Sequence, residues 1–153
     1  KTICRKKSKH RQRSVIIVAS EKNFENRLKG WLNSQGIYAL GTAKNKMTVE
    51  PCGYYEKRWG GGQFSKSGLP DMHIVVNGIS IEIELKAPNG RASELQKQKL
   101  SQIADSGAIG FVAYPDDFEK IKNLIMHIKE MTGISDALTY IQRLYDIERT
   151  HWG

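Results

Sequence analysis

The dipeptide Asn77-Gly78, set between two runs rich in β-branched residues, constrains this chain more than any other feature. Asn-Gly supplies the two positive-φ positions of a type I′ turn, so runs 72–76 and 79–86 predict a tight antiparallel hairpin. With these residues as the turn, Val76 pairs with Ile79, Ile74 faces Ile81 and Met72 faces Ile83. That apolar set belongs on the core side. The same register sets His73 across from Glu82 and Asp71 across from Glu84 on the other side, with Lys86 further along that face.

Facing side chains of an antiparallel pair have Cβ atoms about 5 Å apart, and two carboxylates so placed repel. Folding alone does not favour the arrangement. A shared Mg²⁺ or Mn²⁺ resolves it, because hard cations take oxygen ligands. Such an ion acidifies water and stabilises charge on a phosphodiester, with Lys86 orienting that water or steadying the pentavalent transition state. The plainer alternative is an exposed strand face with ordinary alternation of apolar and charged residues.

Around the hairpin the pattern is mixed. Ser20 is a candidate N-cap for a helix carrying Phe24, Leu28, Trp31 and Leu32 at helical spacing and stopping near Gly36. Residues 37–40 predict a short strand. Residues 41–70 carry consecutive glycines at 60–62 and predict a long connection with one strand near 47–50. Residues 92–106 predict a helix ending at Gly107, residues 109–114 an apolar strand, and Asp116 or Asp117 a cap for a helix with Phe118, Ile121, Leu124, Ile125 and Ile128. Thr132-Gly133 ends it before a last amphipathic helix with Ile134, Leu138, Ile141, Leu144 and Ile147. No repeat or second domain is visible, so the expected fold is a single mixed α/β domain over 15–153 behind a basic arm, 1–14.

Charge is unevenly distributed. Seven of the 24 Lys and Arg residues lie in the first thirteen positions without a single acid: Lys1, Arg5, Lys6, Lys7, Lys9, Arg11 and Arg13. The remaining 17 face all 16 acids, so the body is near neutral and most of the net +8 is the arm. Such an arm attracts a polyanion in a salt-dependent manner, or is a solvated terminus. A second cluster, Lys44, Lys46, Lys57, Arg58 and Lys66, is interleaved with Tyr54, Tyr55, Trp59 and Phe64, a mixture suited to nucleic-acid contact unless the aromatics pack into the core. The longest uninterrupted apolar run, residues 15–19, is far shorter than the roughly twenty residues of a membrane helix, so no membrane partner is expected. Two cysteines, Cys4 and Cys52, make no disulfide framework, and no close Cys or His pair suggests zinc. The expected setting is cytoplasmic.

Pro70-Asp71 followed after twelve residues by Glu84-Leu85-Lys86 matches the PD-(D/E)XK signature of metal-dependent nucleases. The wider series Gly68-Leu69-Pro70-Asp71, the hairpin, Glu84-Leu85-Lys86-Ala87-Pro88-Asn89-Gly90, Gln96 and Gly107-Ala108 resembles the VRR-NUC branch of that superfamily. The likeness is strong over the middle third of the chain and weaker over the helix before it. It implies a restriction-endonuclease-like core with a mixed central sheet, and a divalent-metal-dependent nuclease. Asp71 and Glu84 would be metal ligands, joined by the Leu85 backbone carbonyl, with Lys86 catalytic. Glu82 departs from the pattern, since relatives more often carry an apolar residue there; it extends the acidic face, pairs with His73 or faces solvent, the last two being favoured.

Two further assignments stay open between site and scaffold. Gln96 shares a helical stripe with Leu100 and Ile103, yet Ser93-Glu94-Leu95-Gln96 also fits a capping box; the family pattern favours a site role. Glu21 and Glu25 lie one turn apart on the first helix, and related nucleases carry a helix acid that reaches the metal. Glu25 has the resolvase-like spacing from Gly36, Glu21 lies nearer the stripe centre, and a helix N-terminus favours acids anyway.

The leading expectation is therefore an endodeoxyribonuclease selective for branched DNA. Small VRR-NUC domains resemble phage-encoded enzymes, which suggests a host-cytoplasmic setting and Holliday-junction cleavage by a homodimer. The twofold character of a junction suits a symmetric pair, with the final helix or the 15–19 run as interface or core. The alternative is a non-catalytic DNA-binding module on a nuclease fold, and a ribonuclease ranks below both.

Overall fold

The computed structural model describes residues 20–58 and 68–131. The basic arm, the 15–19 run, Trp59, Phe64, Lys66 and everything from Thr132 onward, including the expected last helix, lie outside the described residues. Helix α1 (residues 20–34) leads into β1 (Ile37–Ala39), a single 3₁₀ turn at Lys44–Lys46, and β2 (Gly53–Lys57). The hairpin follows as β3 (Met72–Val76) and β4 (Ile79–Leu85), then α2 (Glu94–Asp105), β5 (Ile109–Ala113), a second 3₁₀ turn (Pro115–Asp117) and α3 (Phe118–Glu130). The strands form one five-stranded sheet in the order β1-β2-β3-β4-β5. The two outer pairs are parallel and the two inner pairs antiparallel. The chain is thus α/β with a mixed sheet, and among the described residues no helix is long and apolar enough to cross a membrane.

The hairpin register is the one that the Asn-Gly turn dictates: Val76 opposite Ile79, Ile74 opposite Ile81, Met72 opposite Ile83 and His73 opposite Glu82. Its apolar face is fully buried. Phe24, Leu28 and Leu32 from α1, and Phe118, Ile121, Ile125 and Ile128 from α3, close over it in one core cluster. The two helices also touch directly, with Trp31 edge-on to Phe118 and the Arg27 guanidinium 3.8 Å above the same ring. Helix α2 covers the opposite face, where Leu100 and Ile103 close on Gly110, the β5 partner of Glu82.

The turn also holds α3. Asn77 takes φ 51°, and its side-chain amide donates to the carbonyls of Ile128, at 3.1 Å, and Met131, at 2.6 Å, satisfying acceptors at the helix end. Replacing Asn77 by Ala removes both bonds and forces a side chain poorly suited to positive φ. The expected cost is about 2 kcal/mol, with Asn77→Gly losing roughly half as much because it keeps the conformation; urea unfolding of the two variants checks both values.

Three local expectations are corrected. The strand expected near 47–50 lies instead at Gly53–Lys57. The Tyr38 hydroxyl accepts the N–H groups of Thr48 and Val49 at 3.0 and 2.8 Å and donates to the Val49 carbonyl at 3.1 Å, occupying backbone groups that a ladder would need. Ser20 is already helical rather than capping α1. Asp117 does precede α3, but its carboxylate accepts the Tyr114 N–H at 3.0 Å, across the 3₁₀ turn that Pro115 opens, instead of capping the helix.

Candidate active site

At the end of the sheet where β3 begins and β4 finishes, the chain gathers acids from three elements. Asp71 immediately precedes β3 and is fixed on both sides of its backbone and side chain. Its carbonyl accepts the Arg58 N–H at 2.8 Å, its Oδ2 accepts the Leu85 N–H at 2.9 Å, and its Oδ1 accepts a hydrogen bond from Lys57 Nζ at 2.9 Å. Gly68, at φ 77°, sits so close to α2 that a Cβ there would lie 2.8 Å from Leu95 Cγ, which seats the 68–71 turn against the start of that helix.

Glu84, on β4, is 2% exposed. Its Oε1 accepts bonds from Lys86 Nζ, at 2.5 Å, and from the Gln96 side-chain amide. Its Oε2 is buried and has no hydrogen-bond partner among the described residues. Burial pushes the Glu84 carboxyl above its ordinary pKa; Lys86 opposes the shift, and the nearby charges of Asp71 and Glu21 add to it.

Gln96 both closes the capping box and reaches Glu84. Its carbonyl oxygen accepts the Ser93 N–H at 2.8 Å while its own N–H donates to the Ser93 hydroxyl at 3.2 Å, closing the capping box, and its amide nitrogen reaches Glu84. Gln96→Ala should therefore cost about 1 kcal/mol of stability through the cap. If Glu84 holds a divalent cation, the same variant should bind it about 10- to 100-fold more weakly, because the group that orients the ligand is gone; calorimetric Mn²⁺ titration beside a melting curve separates the two effects.

The helix acids divide. Glu25 is 5% exposed and accepts from Lys22, at 3.0 Å, and from Lys29, while Lys57 Nζ lies 3.6 Å from its Oε2. Burial works to raise its pKa, but Lys29, Lys22 and Lys57 together hold it below the ordinary carboxylate value. Glu25 thus joins Asp71 through a shared lysine. The charge of Glu21 adds to the upward shift at Glu84.

The second basic cluster splits as well. Lys44 and Lys46 are exposed on the 3₁₀ turn. Lys57 and Arg58, read from sequence as DNA contacts, are both engaged by carboxylates. Arg58 forks onto Glu82 at 2.6 and 3.0 Å, and His73 Nδ1 lies 2.6 Å from the same carboxylate. Glu82 is buried and paired, not solvent-facing. Tyr55 packs in the core, and Tyr54 stands edge-on to His73 at 5.9 Å. Sequence reasoning missed the bridging position of Lys57. The signal was alternation: Lys57 shares the inward face of β2 with Tyr55, opposite Met72.

No group of three or more His, Cys, Asp or Glu side chains with metal-holding geometry occurs among the described residues. Magnesium does not require one, since it keeps several waters and takes one or two carboxylates with substrate phosphate oxygens. Two carboxylates, one carrying an orphaned buried oxygen, and an adjacent backbone carbonyl fit that demand. Comparison with protein-family models finds no match, and comparisons with curated proteins and with solved structures find none either.

Proposed function

We propose that this chain is a divalent-metal-dependent endodeoxyribonuclease with a PD-(D/E)XK core resembling the VRR-NUC branch, acting on branched DNA such as Holliday junctions. The observation that carries the reading is the Glu84 Oε2 atom. A buried carboxylate oxygen without a partner costs about 1–3 kcal/mol, and here it belongs to a carboxyl that feels the charge of Asp71 and whose donors, Lys86 and Gln96, both point at the other oxygen. Asp71, Glu84 and the Leu85 carbonyl would hold Mg²⁺ or Mn²⁺. When bound, such an ion supplies positive charge against the phosphodiester as attacking and leaving oxygens exchange. Gln96 holds Glu84 in the orientation that leaves Oε2 open. The Leu85 N–H does the same for Asp71. Lys86 Nζ, already at the site, donates to the attacking water or to the phosphoryl oxygens as phosphorus becomes pentavalent. Hydrolysis adds that water to phosphorus and returns a proton to the departing oxygen.

The basic arm and Lys44 and Lys46 supply phosphate contacts, and a homodimer would present two sites to a twofold junction. The second reading, a DNA-binding module without activity, draws support from the absence of a three-ligand cluster among the described residues. Four-way, flapped and linear DNA incubated with the protein in Mg²⁺ or Mn²⁺ decides between them. Cleavage of branched DNA that stops in chelator is expected; salt-sensitive binding with intact DNA in every case establishes the module instead.

A further inference from the structure

Lys57 carries a basic side chain where the strand pattern calls for an inward one. Its side chain is 15% exposed, and its ammonium stands between acids from two elements, 2.9 Å from Asp71 Oδ1 and 3.6 Å from Glu25 Oε2. An ion that bridges one carboxylate of the β3 start and one of α1 is what a second divalent cation would have to be at this site. The bridging position is already filled by a positive charge that belongs to the chain.

Resting on the nuclease reading, we propose that Lys57 is a positioning residue that stands in for a second divalent ion, bridging Asp71 and Glu25 so that each chain binds one metal ion and not two. Lys57 then keeps Asp71 Oδ1 turned toward α1 and leaves the side nearer Glu84 to the ion. Glu25 serves the site through this lysine, without ligating metal itself.

The test counts ions on the full chain without DNA, by electron paramagnetic resonance of free Mn²⁺ during titration. Wild type should bind one Mn²⁺ per chain with useful affinity. Lys57→Met, which removes the charge but keeps the bulk, should bind two, and Lys57→Arg should restore one. Adding Glu25→Gln to Lys57→Met should remove the second ion again, a result that a merely structural role for Lys57 would not produce. Two ions in wild type overturn the proposal while sparing the metal site, and this holds even if the Met variant does not fold. A folded Lys57→Met protein that still binds one ion also overturns it. No bound ion in wild type, either alone or with a phosphorothioate-blocked branched DNA that supplies the phosphate oxygens, overturns the nuclease reading itself, and the stand-in role with it.

Discussion

Asp71→Asn, Glu84→Gln and Lys86→Ala should each lower Mn²⁺-dependent cleavage of branched DNA by about 10²- to 10⁴-fold, the range for removing a charge or a proton-handling group that acts on the transition state. The three should fail differently. Asn at position 71 can still accept the Leu85 N–H, but it loses the charge that holds Lys57. Lys86→Ala leaves both carboxylates in place, so ion binding should persist while turnover falls. Glu84→Gln removes the charge that burial makes costly, and its effect on the metal-free protein is opposite in sign to its effect on activity. Because the folded-state pKa of Glu84 is raised, the stability contributed by its neutral form is present below the unfolded value and lost as pH rises through the folded one. In chelator, therefore, the unfolding free energy of Glu84→Gln should gain on wild type as pH increases from about 4.5 toward neutrality. Urea titrations across that window read the difference; a gap that shrinks with pH would mean that Glu84 is held as a stabilised carboxylate. Cleavage unaffected by Asp71→Asn and Lys86→Ala would discredit the assignment of the site.

Period and turn chemistry made the centre of the fold legible, and both act locally. Asn77-Gly78 fixed the register of β3 and β4, and register alone decides which side chains meet, because a one-residue slip would exchange the two faces. Glu84, Lys86 and Asp71 were thus brought together by arithmetic on a turn. The capping box at Ser93 was local too, and it carried Gln96 to the site. What failed was non-local. Strand β2 follows a glycine with two tyrosines and then two charges, so its sequence resembles a nucleic-acid surface; its place between β1 and β3 makes Tyr55 a core residue and turns Lys57 inward. Likewise Glu82 is an acid in a position that alternation leaves open to solvent, and the partner that buries it, Arg58, is 24 residues away in sequence. Long-range ion pairing of this kind leaves no periodic trace.

That pair has the largest expected effect on stability. Glu82 has 8% of its side chain exposed and Arg58 28%, and their forked contact is completed by His73. Stripping one partner from a buried pair leaves a charge in a medium that solvates it poorly, at a cost of about 3–5 kcal/mol. Since Arg58 is partly wet, about 3 kcal/mol is the better figure for Arg58→Met, equivalent to a fall in Tm of about 6–12 °C for a chain of this size. The double variant Arg58→Met with Glu82→Leu places apolar groups where the fork was and should recover most of that loss, since such replacements are often neutral. The coupling between the two positions should then be about 2 kcal/mol or more, and additive losses would show that Arg58 and Glu82 act independently. The same double variant asks what Arg58 does for DNA. Its backbone N–H holds the Asp71 carbonyl whatever the side chain, so the candidate site keeps its frame when the guanidinium is gone. If the fork is purely internal, the folded double variant should bind branched DNA as tightly as wild type and with the same salt slope. A slope reduced by about one unit would mean that Arg58 also neutralises a phosphate, and that binding DNA draws it away from Glu82.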